Sequence, residues 1–501
     1  MNPRLRLILF AALGALLGLM IGFDLADESY GLAIMVALFC VWLVARRMSD
    51  ALPDTWVLAA VVMGYVIGNR GFAQLQPFKL IPLLPAEAAL LVLVPTLIVR
   101  MALKRVTAIR RDALNYAILV WMLVGTIRIP LDLNRYGVIA LRDYATIYYA
   151  AFFYVAQAFG SHEKSKAVLN RTLTISFLCL LPVVVSIQIS PDFLIDHLTW
   201  QGIPIILHKS DLIATSLAAG FFWLWTKVSG RNRYFWFISA AASLLLIALM
   251  ASPRAGMFAV FVVTVLWLAT GQWRIAAAEL GVVAAASVVS VAAVSFLGKD
   301  LKTSAPYSMY EHAVSIFDPA GTGTYINSES GDLGGNNRFR LIWWRDVIDE
   351  TLTTSPVFGT GFGSDLSARF LADYDLLTDE TFAARSPHSM IITIFGRLGF
   401  VGLLAWIAVS AAMARMVWRL FRRGDPDGMG LASIVCVIWI SACVGVVLES
   451  PMGAVVFWTV AGLANSRALG ASATLSGPEP TVADETPVAK SVLLPPHSSS
   501  R

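Results

Sequence analysis

Apolar residues come along this chain in long unbroken runs, not in the alternating or 3.6-residue stripes of water-facing elements. Runs long enough, or nearly long enough, to cross a bilayer as helices occupy 7–23, 30–45, 54–69, 80–99, 114–129, 144–160, 168–189, 211–227, 234–250, 254–271, 274–297, 389–418, 430–448 and 452–467. The first pair and the 254–297 pair are the ones such a count can misjudge, so the pattern predicts about 12–14 transmembrane helices. One long polar stretch, 298–387, interrupts the series. From about Gly470 the chain turns rich in Ser, Pro, Thr and Ala and ends HSSSR, a composition that cannot bury enough apolar surface to fold. The expected fold is an all-α polytopic membrane protein with this organisation: 1–297, an N-terminal bundle of about eleven spans; 298–387, one large loop; 388–469, about three spans; 470–501, a disordered tail.

Composition agrees: the chain is 57% hydrophobic and 14% charged, with mean hydropathy +0.70. Charge adds orientation. Basic residues gather in alternate connections: Arg4 and Arg6, Arg46–Arg47, the Arg100–Arg111 cluster, Lys164–Arg171, Lys227–Arg233, Arg274, and Arg419–Arg423. With all runs spanning, every one of these falls on one side, which predicts cytoplasmic termini and an extracytoplasmic loop. The first run has a basic start but no convincing small-x-small cleavage site after it, and is expected to be an uncleaved anchor. Cys40, Cys179, Cys436 and Cys443 all sit in apolar runs and read as small core residues. The six histidines offer no HExxH or paired ligand spacing, so no bound metal is expected.

Within the loop, Arg338 to Glu350 (RFRLIWWRDVIDE) predicts an amphipathic helix with Arg338, Leu341, Arg345 and Asp349 on one face, and with Trp343 and Trp344 at a membrane interface. Ser364 to Leu376 predicts a second helix. The Gly359-Thr-Gly361-Phe-Gly363 run before it reads as a turn, not a nucleotide fingerprint, because no strand precedes it.

The stretch richest in candidate chemistry is Ser386 to Gly402, SPHSMIITIFGRLGFVG, where the loop re-enters an apolar run. Ser386 suits a helix cap and Pro387 the first helical position, which puts His388 in the first turn. The helix dipole there disfavours positive charge and so favours a neutral, proton-accepting imidazole. His388, Ile392, Phe395, Gly399 and Gly402 share one stripe, and the glycines would admit another helix closely. A helix-start histidine with two packing glycines reads equally well from the spacing.

Arginines on the outer side run against the general charge bias: Arg70, Arg128, Arg135, Arg142, Arg254, Arg338, Arg340, Arg345 and Arg385. Arg254, at the mouth of a span, suits bidentate phosphate binding; the other reading is snorkelling to headgroups. Arg142 either does the same or pairs with Asp143. Arg338 and Arg345 either bind an anion or lie on a solvated helix face. A neutral histidine near guanidinium groups suits displacement of a diphosphate, the arginines offsetting its charge and the histidine taking a hydroxyl proton.

At these residues the sequence resembles the O-antigen ligase and polymerase-like membrane proteins. The resemblance rests on His388-Ser389, nine residues, then Gly399-Phe-Val-Gly402; on Arg338, Trp343 or Trp344, Pro356 and Gly359-x-Gly361 upstream; and on Ser252-x-Arg254, with Pro253 inserted. Ser389 stands where the family more often has Asn. The informative similarity covers about residues 250–405. It implies a bacterial inner-membrane glycosyltransferase of the GT-C type, inverting and metal-independent, without a cofactor. Such an enzyme moves a glycan from an undecaprenyl diphosphate carrier to a growing glycan or a lipid A-core acceptor. By the same resemblance His388 activates the acceptor, while Arg254 and Arg338, with Arg142 and Arg345 as further candidates, bind the diphosphate. Ser389, Gly399 and Gly402 complete the motif. Expected partners are the lipid-linked glycan, the acceptor, membrane lipids and other polysaccharide-assembly proteins; nucleic acid is not among them. A flippase for the same lipid-linked glycans and a non-catalytic assembly component are the alternatives. A transporter would favour internal repeats and broken helices at matching positions.

Overall fold

The structure is a computed structural model. It describes residues 18–475 except 23–24, 28, 77–82, 250–253, 297, 299, 301, 303–304, 319, 321, 324, 326–327 and 374–384. The expected first anchor lies largely outside the described residues, and so does the expected tail 470–501 except for 470–475, which are helical and not disordered.

The protein is an all-α polytopic membrane protein. In chain order its helices are α1 (Gly31–Arg47), α2 (Thr55–Gly68), α3 (Arg70–Gln74), α4 (Pro85–Ala102), α5 (Ala113–Tyr136), α6 (Ile139–Tyr148), α7 (Ala151–Gly160), α8 (Glu163–Ile189) and α9 (Pro191–His197). A two-stranded antiparallel ribbon follows, β1 (Thr199–Trp200) and β2 (Ile203–Pro204). Then come α10 (Ser210–Trp225), α11 (Arg233–Leu249), α12 (Arg254–Ala269), α13 (Trp273–Phe296), α14 (Ala305–Ile316), α15 (Ser328–Thr354), α16 (Ala368–Asp373), α17 (Met390–Arg423), α18 (Pro426–Cys443) and α19 (Pro451–Leu475). Among the described residues six helices, α4, α5, α8, α13, α17 and α18, are long and apolar enough to cross a membrane; α2, α11 and α12 are shorter apolar helices. The 144–160 run is not one helix, because α6 and α7 break at Tyr149–Ala150.

Apolar side chains are distributed as a bilayer demands. Leu91, Leu123, Ile127, Phe261, Leu280, Val288 and Leu404 point outward, while Trp121, Trp223, Trp458, Phe152 and Phe222 fill the interior. Cys40 and Cys179 lie on exposed helix faces and are not core residues as the sequence suggested; Cys436 is buried.

The two ends of the bundle differ in what joins them. At one end the basic connections close on nearby acids: Arg100 on Asp54 at 2.8 Å, Lys227 on Asp427 at 2.5 Å, Arg467 on Asp425. A buried amide network, Asn115–Gln157–Asn465, ties α5, α7 and α19 together just inside that end. At the other end the α2–α3 junction meets the segment that follows the ribbon through the Asn69–Leu207 bridge. There the long loop folds back over α5, α12 and α17.

In the loop α15 is longer than the predicted 338–350 helix, and its inward face is different. Trp343, Val347 and Thr351, at i, i+4 and i+8, are buried, the first two against Leu366 and Phe370 in a small second core. Trp343 is thus a core residue and not an interfacial one; its indole donates to the Leu366 carbonyl at 2.7 Å. Arg338 and Arg345 face outward. The second loop helix is short, Ala368–Asp373: residues 364–367 of its predicted span form a turn ahead of it, and 374–376 lie outside the described residues.

Candidate functional site

α17 begins at Met390, with Ser389 as its N-cap residue; the Ser389 side chain makes no capping bond. His388 therefore precedes the helix and does not lie in its first turn. It adopts φ +53°, a left-handed conformation costly for a residue with a Cβ. Such a conformation persists only when neighbours over-determine it, and here they do. Arg385 donates to the Gly363 carbonyl at 2.8 Å, and Ser386 Oγ donates to Glu449. The Pro387 carbonyl accepts the Trp344 indole N–H at 2.6 Å, and Thr393 Oγ1 donates to Glu449 at 2.8 Å. The imidazole packs edge-to-face on Trp343, ring centres 5.7 Å apart.

The imidazole is held neutral, but not chiefly by a helix dipole. Burial pushes the His388 pKa down to about 4, and the charges of Arg340 and Lys209 push the same way, with Asp211 opposing. Lys209 and Asp211 form an ion pair at 3.5 Å at the start of α10.

On the side of Trp344, whose indole holds Pro387, α12, α14, α15 and Val444 line an open cavity of about 340 Å³. Arg254, Asn337, Arg340 and Trp344 supply its polar groups; Phe258, Ile316, Phe317 and Leu341 supply apolar wall. Arg254 donates to Asn337 Oδ1 at 2.6 Å and to Ser315 Oγ at 3.4 Å. Asn337 is fixed in turn by its amide, which donates to the carbonyls of Ser315 and Asp318 at 2.9 and 2.8 Å. Arg340 donates to the Val444 carbonyl at 2.8 Å, and burial lowers its pKa.

The structure thus brings together Arg254 and Arg340 in one cavity, with His388 in the electrostatic reach of Arg340. It does not bring in Arg338 or Arg345. Residue 340 lies about 200° around a helix from residue 338, and burial of Trp343 and Val347 turns Arg340 inward and Arg338 outward. Arg345 pairs with Asp349 at 3.6 Å on the exposed face. Arg142 is exposed. Its expected partner Asp143 instead pairs with the buried Arg397 at 3.0 Å and accepts the Gly363 N–H at 3.0 Å.

Gly399 has a different role from the predicted helix contact. Its φ of +61° kinks α17, and the 356–359 turn occupies the gap: a Cβ there would meet the Pro356 carbonyl oxygen at 2.5 Å. Phe400 N–H donates to Pro356 O at 2.9 Å, and Gly361 N–H to Arg397 O at 3.0 Å. The glycine-rich turn is therefore a docked brace between α5 and α17, its Phe362 N–H also held by Asp132 at 2.7 Å. Gly402 is buried against the side chain of Leu398 in its own helix.

Sequence reasoning passed over Lys209, Asp211, Asn337 and Glu449. For Lys209 the signal existed: it is a cation at the mouth of an apolar run on the side where cations are scarce, the same rule that picked Arg254. Among the described residues no three His, Cys, Asp or Glu side chains come together as a ligand set.

No curated protein matches the chain. Residues 239–407, which hold Arg254, Asn337, Arg340, His388 and Gly399, match the family model described as O-antigen ligase. That match, over about a third of the chain, bears out the resemblance seen in the His388 motif: this segment is similar to the O-antigen ligase family.

Proposed function

We propose that the chain transfers a glycan from a polyprenyl diphosphate carrier to a hydroxyl acceptor at the loop end of the bundle. That end faces away from the cytoplasm by the charge bias of the opposite connections. The acceptor oxygen attacks the anomeric carbon of the donor, the bond from that carbon to the diphosphate oxygen breaks, and the configuration inverts. His388 takes the acceptor proton; the departing diphosphate keeps the electron pair of the broken bond on its oxygen, and Arg340 and Arg254 offset the charge. Aliphatic and aromatic walls beside two guanidinium groups suit an amphiphile whose charged head sits at the edge of a bilayer. The carrying observation is a histidine held neutral within the field of an arginine that lines a cavity. Because guanidinium groups can offset the leaving charge, the reaction needs no divalent ion in this reading.

The test uses purified full chain in proteoliposomes with a polyprenyl diphosphate-linked glycan and a saccharide acceptor. His388→Ala should lower transfer by about 10²–10⁴-fold, the usual worth of a general base, while donor binding persists. Wild-type transfer by a folded His388→Ala protein sinks the reaction. Transfer abolished by EDTA and restored by Mg²⁺ would sink the metal-free account of the leaving group.

A further inference from the structure

The connection between α18 and α19, residues 444–450, touches both halves of the site. Its first residue, Val444, offers the carbonyl that takes Arg340 at 2.8 Å. Its sixth, Glu449, accepts Ser386 Oγ through one carboxylate oxygen and Thr393 Oγ1, at 2.8 Å, through the other. Those two donors lie on either side of His388, two residues before it and five after. Between them the backbone passes through the left-handed conformation at His388 and then enters α17. Neither residue of the connection falls within the segment that matches the family model, which ends at 407.

We propose that Glu449 is a positioning residue: its carboxylate pins the segment on both sides of His388 and so aims the imidazole at the cavity lined by Arg340. The inference rests on the transfer reading above. A bidentate grip explains how an unfavourable φ at His388 is kept without a capping bond from Ser389. Losing either hydroxyl bond lets the segment relax toward ordinary dihedrals, and the imidazole then turns off Trp343 toward water. Glu449 has local company for its charge: Arg397, itself paired with Asp143, lies close enough to favour the carboxylate, although burial still raises the Glu449 pKa. The clamp is therefore tied to the brace beneath it, and the connection couples seat and base mechanically.

The test reads His388 directly. Diethyl pyrocarbonate acylates uncharged imidazole, and mass spectrometry of the full chain in detergent gives the rate at this one residue. In wild type the reaction at His388 should be slow. Thr393→Val and Ser386→Ala each remove one hydroxyl bond and leave the carboxylate and Arg397 in place. Each should raise the acylation rate by about tenfold, as expected for losing one hydrogen bond to a charged group. Glu449→Gln, which keeps one acceptor oxygen, should match these single variants, and Glu449→Ala should exceed them. In transfer assays kcat should fall in the same order, with KM for the donor unchanged, because Glu449 does not line the cavity. Acylation at the wild-type rate in folded Ser386→Ala and Thr393→Val overturns the clamp. Faster acylation with unaltered transfer keeps the clamp and sinks the catalytic role of His388 instead.

Discussion

Two groups of arginines occupy the same end of this bundle and are built on opposite plans. Beneath the kink in α17, Arg397 meets Asp143 at 3.0 Å with the two side chains only 5% and 12% exposed. Arg128 nearby meets Asp132 at 2.9 Å. Those carboxylates also take the backbone N–H groups of Phe362 and Gly363, so the charges are consumed in fastening the glycine-rich turn to α5 and α6. Beside α15, Arg340 hydrogen-bonds a main-chain carbonyl, and Arg254 an amide and a hydroxyl oxygen. Both guanidinium groups line open volume. A carboxylate partner neutralises an arginine and makes it a fastening. A carbonyl partner orients the fork without cancelling its charge, and so leaves the field of Arg340 for an anion.

That contrast predicts opposite phenotypes, and the largest effect is on stability. Arg397→Met leaves Asp143 buried without its cation and should cost about 3–5 kcal/mol, read as a fall in the unfolding midpoint in detergent. Arg340→Gln keeps a donor toward Val444 and should change stability by less than about 1 kcal/mol. Its loss appears in transfer instead, by about 10²–10³-fold, as for removal of one preorganised group that meets leaving-group charge. Stability loss for Arg340→Gln, with transfer intact per folded molecule, would reverse the assignment of the two groups.

A finer test uses pH. With the pKa of His388 pushed to about 4, the imidazole is already neutral above that value, so kcat/KM should keep its acid limb near 4 and not near the ordinary 6.5. Arg340→Gln removes a charge that opposes imidazolium. Its limb should move upward yet stop short of 6.5, because burial, the larger cause, persists. A bound diphosphate favours imidazolium, so the limb in kcat should lie above that in kcat/KM. A limb that stays put in Arg340→Gln would separate the two residues electrostatically.

Much of this was legible in the chain. Continuous apolar runs report burial in lipid, and the sidedness of basic connections is a property of sequence alone. His388 and Arg254 stand out because a polar group at the edge of an apolar run needs a reason. What stayed hidden depends on rotation and distance. A helix with Arg338 and Arg345 on one face and Arg340 on another does not announce which face turns inward until Trp343 and Val347 find Leu366 and Phe370. Glu449 sits 61 residues after His388, counted from the numbering, and nothing local marks it as a partner of Ser386 and Thr393. The helix start was misplaced for a similar reason. Ser386 looks like a cap, but its hydroxyl goes to that distant carboxylate, and the chain passes through the left-handed turn at His388 before the helix opens after Ser389.

The smallest expected effect carries the sharpest discrimination. The motif resemblance points to Arg338 as a diphosphate ligand, whereas the cavity is lined by Arg340, two residues on. Arg338→Ala and Arg345→Ala remove exposed side chains. The Arg345–Asp349 pair, 82% and 46% exposed, should contribute less than about 0.5 kcal/mol. Transfer in both variants should stay within about twofold of wild type, the span of a surface substitution. Arg338→Ala and Arg340→Ala compared side by side then decide which face of α15 the donor meets. A larger loss from Arg338 would mean that the diphosphate lies outside the cavity, on the opposite side of the helix from Trp343. His388, which packs on Trp343, would then be turned away from the leaving group, and its place as the base would fall with the cavity.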